Sequence, residues 1–153
     1  MLDIFQPLLD AAAGLDLSDP AAAEGELRRR LAPGSEAAQS LNAALQTLLE
    51  EGKIANRGEL PVRWGRVAKA SAETGDFSID AVHMTGPGPR HRHPRGEIDW
   101  CVALEGKPTF DGREAGWVVL GEESVHVPTV EGGAMLVVYL LPGGEIEFLE
   151  TGS

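Results

Sequence analysis

A chain of 153 residues with 42 % apolar content is long enough to bury its own core as one domain. Its net charge of −11 argues against a nucleic-acid binder, which carries a basic patch, and its single cysteine excludes an internal disulfide. No apolar run reaches the ~18 residues that span a bilayer, and the first residues, MLDIFQPLL, have no basic segment, so the reading is a cytoplasmic protein without a signal peptide.

Residues 1–52 read as helical. Leu2, Phe5, Leu8 and Leu9 fall at helical spacing, with Pro7 limiting regularity. Ser18-Asp19-Pro20 is a helix start, with Ser18 as the cap and Pro20 in the first turn, and the helix runs to Leu31 before Pro33-Gly34. Ser35 caps a third segment whose apolar stripe is Ala38, Leu41, Ala44, Leu45, Leu48 and Leu49, and Gly52 ends it. Arg28-Arg29-Arg30 reads as a solvated helix face.

After Lys53 the pattern changes to short β-like runs broken by the 19 Gly and 10 Pro. Strands are expected at 62–70, 77–84, 98–104, 117–120, 124–127, 135–141 and 145–148, with a hairpin turn at Phe110-Asp111-Gly112-Arg113. Turns about every ten residues fit an all-β sandwich or barrel. The expected organisation is therefore a helical cap, 1–52, packed on a β-barrel, 53–153.

The chemistry concentrates in His91-Arg92-His93-Pro94-Arg95-Gly96-Glu97. In an extended strand the even offsets place His91, His93 and Glu97 on one face, and Arg95, Asp99 and Cys101 with them. Two imidazoles and a carboxylate suit a first-row divalent metal. The opposite face, Ile98, Trp100, Val102 and Leu104, is apolar throughout and needs a cover: the N-terminal helices or a second subunit. Trp100 is the residue expected at that contact. A polar inner face implies a cavity that holds something.

The motif resembles that of the cupin superfamily, with Gly86, His91, His93, Glu97 and Gly106 filling its first half and the segment ending in His126 its second. The resemblance implies a single double-stranded β-helix (jelly-roll) barrel, mainly β, with His91, His93, Glu97 and His126 binding one divalent metal ion: Zn, Fe, Mn, Ni or Co. The runs Phe77-Ser78-Ile79-Asp80-Ala81-Val82, Gly86-Pro87-Gly88-Pro89-Arg90-His91-Arg92-His93-Pro94, Gly96-Glu97-Ile98-Asp99, Gly116-Trp117-Val118-Val119 and His126-Val127-Pro128-Thr129-Val130 are similar to the 4-hydroxylaminobenzoate lyase family. That likeness implies conversion of 4-hydroxylaminobenzoate to 3,4-dihydroxybenzoate with release of ammonia, in aromatic compound degradation.

Such chemistry needs an acid or a metal to neutralise the departing hydroxyl and a base to help water add. Asp99, in phase with Glu97, is the expected acid/base or the partner that orients a histidine, and Glu97 doubles as ligand and catalytic carboxylate. A benzoate carboxylate calls for an arginine: Arg95 is favoured for its phase over Arg90, Arg92, Arg63 and Arg66. Tyr139 either offers its phenol to the cavity or fills the core. His83 ends a run with Phe77, Ile79 and Ala81 and sits packed, or at the rim as a substrate-binding group. A homodimer with no nucleic-acid or membrane partner is expected. The rival functions are another cupin metalloenzyme (an aromatic dioxygenase or isomerase) and a non-catalytic small-molecule binder.

Overall fold

The computed structural model describes residues 1–149; the last four residues of the expected 53–153 barrel lie outside them. Three helices come first: α1 (Leu2–Ala12), α2 (Pro20–Arg30) and α3 (Glu36–Glu50). The α2 cap is Asp19, not Ser18. Asp19 accepts from the Ala22 N–H, while the Ser18 N–H donates to Asp16. Ser35 caps α3 through the Ala38 N–H. At its far end Gly52 takes a left-handed φ of +71°, and the Gly52 and Lys53 N–H groups close onto the carbonyls of Leu49 and Leu48. Arg30 does more than face solvent. Its guanidinium donates to the Ala11 and Ala13 carbonyls, tying α2 to the end of α1.

Nine strands follow: β1 (Arg57–Glu59), β2 (Val62–Ala68), β3 (Phe77–Met84), β4 (His91–His93), β5 (Glu97–Phe110), β6 (Gly116–Leu120), β7 (Ser124–His126), β8 (Val130–Pro142) and β9 (Glu147–Phe148). They form a six-stranded sheet, β1-β2-β3-β8-β5-β6, and a three-stranded sheet, β7-β4-β9, all antiparallel. The sheets do not close into a barrel among the described residues. The β5–β8 pairing is longer than the apolar runs indicate, because bulges near Glu105 and Thr109 carry it through polar residues to Phe110.

The apolar reverse face of β5 has its cover within the chain. Ile98, Trp100 and Val102 share a continuous core with Phe5, Leu27 and Leu45 of the helices. The Trp100 and Trp117 rings meet edge-on at 4.8 Å. Their indole N–H groups donate to the Asn42 side chain and the Leu31 carbonyl. The contact expected of Trp100 is thus with a helix, and this face supplies no ground for a homodimer.

One expectation fails in a way that matters for the site. The run from His91 to Leu104 is not one strand. Pro94, Arg95 and Gly96 form a turn, closed by the Gly96 N–H on the His93 carbonyl, and β4 and β5 belong to different sheets. Proline cannot donate to a ladder. Gly96 has φ +86°, and a Cβ there would lie 2.9 Å from the Leu120 carbonyl oxygen. The alternation restarts at Glu97, so Glu97 and Asp99 remain on the inner face while Arg95 loses its predicted phase. Gly96→Ala is expected to lower unfolding free energy by at least the ~1–2 kcal/mol of a left-handed non-glycine residue, read from urea denaturation.

Candidate metal centre

Four side chains from three strands converge. His91 and His93 stand on β4, Glu97 at the first residue of β5, and His126 on β7, in register with His91. Their potential ligand atoms all lie within 4.8 Å of one another. The Nε2 atoms of His91 and His126 are 3.0 Å apart, and His93 Nε2 is 3.2 Å from a Glu97 carboxylate oxygen. His91, His93 and Glu97 are buried, and His126 is nearly so.

The opposite ring nitrogens decide the chemistry of this cluster. His91 Nδ1 lies 3.0 Å from the Pro89 carbonyl oxygen, which can only accept. His93 Nδ1 lies 2.9 Å from the Ser124 hydroxyl, whose own proton goes to the Gly121 carbonyl. His126 Nδ1 contacts the Asp111 carboxylate. Each Nδ1 therefore carries the proton, and each Nε2 turns a lone pair inward. Burial also holds the His91 pKa below its ordinary value, keeping the ring neutral. Lone pairs 3.0 Å apart beside a buried carboxylate repel unless a cation lies among them. His93 Nε2 and both Glu97 oxygens have no hydrogen-bond partner among the described residues. Three imidazoles, each with Nε2 turned inward, and one carboxylate fit a divalent first-row metal.

Asp111 is the residue the sequence pattern hid. It reads as a hairpin-turn aspartate, and it is one, with φ +50°. Its second oxygen accepts from the Thr129 N–H, which fixes the carboxylate that holds His126. Ser124, likewise, gave no sign beyond its place near His126. Asp111→Asn is expected to weaken metal affinity by about 10–100-fold without unfolding the chain, measured by competition with a chelating dye.

The cluster borders a cavity of about 420 Å³. His91 and Glu97 reach its wall, and the remainder is largely apolar: Val82, Met84, Tyr139, Leu141, Ile146 and Phe148. Trp64, Arg66 and Asp80 also line it. Tyr139 faces this cavity, its ring set edge-on to that of His91 at 6.5 Å and its hydroxyl directed at the Met84 sulfur. Burial and the nearby Glu97 and Asp99 carboxylates push its phenol pKa up, so it stays protonated.

The other expected site residues lie elsewhere. Arg95 is half-exposed at the turn, bonded to Asp76 and Glu145, and borders a separate hollow with Gly75 and Phe77. The turn that resets the strand phase is the reason. His83 lies opposite Arg63 and Leu136 in the sheet. Leu136 belongs to the helix-side core, so His83 stands on the face away from the cavity, its pKa lowered by burial and by Arg63. Asp99 is fully buried and does not line the cavity, and neither of its oxygens has a hydrogen-bond partner among the described residues. Burial and the adjacent Glu97 carboxylate raise its pKa well above the ordinary aspartate range. It backs Glu97 rather than a histidine. Cys101 is buried on the same face, its thiol pKa pushed up by burial and by Asp99.

A mainly β chain whose histidines and glutamate meet in this way, beside a small cavity, defines a cupin-type protein with a candidate metal centre. Residues 7–148 match the family described as "PnbB: 4-hydroxylaminobenzoate lyase". The chain is 30 % identical over 141 residues to the 4-hydroxylaminobenzoate lyase of Pseudomonas putida, covering 80 % of each chain. It is 30 % identical over 157 residues to that of Nocardioides sp. (strain LMS-CY), covering 96 % of this chain and 89 % of the relative. Among solved structures, an RmlC-like cupin protein of Ralstonia eutropha JMP134 aligns at 18 % identity with a TM-score of 0.46, over 61 % of this chain and 62 % of that one. The chain belongs to the 4-hydroxylaminobenzoate lyase family. Among the described residues no helix is long and apolar enough to cross a membrane.

Proposed function

We propose that this protein is a metal-dependent lyase that converts 4-hydroxylaminobenzoate, or a close hydroxylamino-aromatic acid, to 3,4-dihydroxybenzoate with release of ammonia. The observation that carries the reading is the inward lone-pair set of His91, His93 and His126 beside Glu97, bordering an apolar cavity, in a chain of this family. The reaction balances without an oxidant. The N–O bond breaks and its oxygen leaves as water, the ring carbon next to the C–N carbon gains oxygen from water, and a second water replaces nitrogen with oxygen. One water is consumed in sum, and ammonia departs.

His91, His93, Glu97 and His126 would hold the metal, which when bound supplies a Lewis acid for the hydroxylamine oxygen. The chain's own residues do the rest. The apolar wall, with Val82, Met84, Leu141 and Phe148, takes the ring and keeps bulk water from the reactive species. Tyr139 packs edge-on beside His91 and offers a protonated phenol within the cavity. Glu97 faces the cavity and can carry a proton between the leaving oxygen and water. Asp99, buried beside Glu97 and outside the cavity lining, acts on the site through the Glu97 carboxylate and not on substrate directly. Roles for Arg95 and His83 in substrate binding find no support in their positions. A soluble, cytoplasmic setting and a place in aromatic degradation belong to the same reading, as does a homodimer assembled through some surface other than the helix-covered face.

The test is incubation of purified protein with 4-hydroxylaminobenzoate under nitrogen. Ammonia and 3,4-dihydroxybenzoate are expected in equal amounts. Absence of both in metal-replete protein would refute the lyase reading, and turnover only with oxygen would favour an aromatic dioxygenase.

A further inference from the structure

The apolar cavity leaves one end of a benzoate substrate unexplained, because a carboxylate placed there needs a cation. Arg66 is the only arginine or lysine lining the cavity among the described residues. It does not stand alone. Strand register places Arg66 opposite Asp80, Asp80 opposite Tyr139, and Tyr139 opposite Asp99. Directly opposed residues in an antiparallel sheet share a face. A polar row therefore crosses the inner face from β2 at the rim to β5, where Glu97 lies two residues from Asp99. Three strand spacings of ~4.8 Å separate its ends, about 14 Å along the sheet. Arg66 and two members of the metal centre, His91 and Glu97, thus line one apolar slot from different strands.

Asp80 holds Arg66 in a defined attitude. Arg66 Nε donates to one Asp80 oxygen at 2.9 Å, and one terminal nitrogen donates to the other at 3.2 Å. This uses the side edge of the guanidinium. The end edge, formed by Nη1 and the second Nη2 proton, keeps the parallel pair of donors that matches a carboxylate. The Asp80 charge is neutralised by the same pairing, so it does not repel an incoming anion. Trp64, two residues earlier on β2, is 47 % exposed and lines the same slot, giving a flat apolar surface beside the arginine.

We infer that Arg66, oriented by Asp80, is the specificity residue that binds the substrate carboxylate, while the hydroxylamine end meets the metal centre. This rests on the lyase reading. It makes the aryl carboxylate the group that Arg66 recognises.

The experiment compares 3,4-dihydroxybenzoate with catechol, which lacks only the carboxylate, by calorimetry on metal-replete protein. Wild type is expected to bind the acid more tightly than catechol by about 10–100-fold, as a charge-assisted carboxylate pair implies. Arg66→Gln should erase that preference and leave catechol affinity unchanged, which also reports an intact cavity. Arg66→Lys should restore part of it, and Asp80→Asn should reduce it by less than Arg66→Gln does. A preference that survives in Arg66→Gln, or that is missing in wild type, overturns the assignment. Turnover of 4-hydroxylaminobenzoate by wild type is scored separately: turnover without a carboxylate preference sinks Arg66 alone, and preference without turnover sinks the lyase reading alone.

Discussion

Glu97→Gln is expected to leave a folded protein that no longer retains stoichiometric metal, with kcat/KM lowered more than about 100-fold. That exceeds the roughly 10–100-fold typical when a partner behind a ligand is changed. Glu97 is fully buried and supplies the sole carboxylate among the four converging groups. Its negative charge offsets the metal's, and a neutral amide cannot. The fold should survive for a related reason. In the metal-free chain both carboxylate oxygens are buried without a hydrogen-bond partner among the described residues, which costs stability. A glutamine N–H directed at a histidine Nε2 relieves that cost. Metal content by plasma mass spectrometry and unfolding by urea therefore move apart: metal is lost and stability is kept. Loss of both together, or loss of neither, would show that Glu97 is not a ligand.

The largest stability effect is expected behind the site. Trp100→Ala should cost about 3–5 kcal/mol, the range for removing a large buried aromatic side chain. Trp100 is 1 % exposed, packs edge-on against Trp117, and donates to Asn42 of α3. It therefore joins the helical cap to the strand that carries Glu97 and Asp99. Against a total stability of about 5–15 kcal/mol, this variant should unfold at markedly lower urea. Trp100→Phe should cost less, since it keeps most of the apolar volume. A Trp100→Ala loss below about 1 kcal/mol would mean that the cap is not coupled to the sheet through this residue.

Much of this was legible in the residues, and the failures have identifiable causes. The helices follow from apolar spacing and local caps. Ser35 caps as expected, whereas Asp19 displaces Ser18 because it stands immediately before Pro20. The inner and outer faces of β5 follow from alternation, and the all-apolar reverse face calls for a cover, helices or a second subunit, which the helices supply. Grouping His91, His93 and Glu97 by strand parity reached the observed cluster by a route the chain does not take. Glu97 joins the histidines because Pro94 to Gly96 fold the chain from one sheet to the other, and counting parity across that turn misplaced Arg95. Strand register across three strands, invisible in a linear pattern, brings Arg66, Asp80 and Tyr139 into one row. Asp111 was hidden by its local role, since a turn aspartate announces the turn and not the histidine it will hold. His83 shows the limit of alternation: parity gives it the face shared with Ile79 and Ala81, but not that this face is the helix side.

In the proposed reading, the cluster of His91, His93, Glu97 and His126 binds a metal required for an oxygen-independent lyase reaction. The most direct test is anaerobic ammonia release from 4-hydroxylaminobenzoate by one protein sample as purified, after chelation, and after return of a single divalent metal. Release that is lost on chelation and restored by metal, with 3,4-dihydroxybenzoate formed in equal amount, is the predicted result. Release unchanged in protein shown to be metal-free would contradict it.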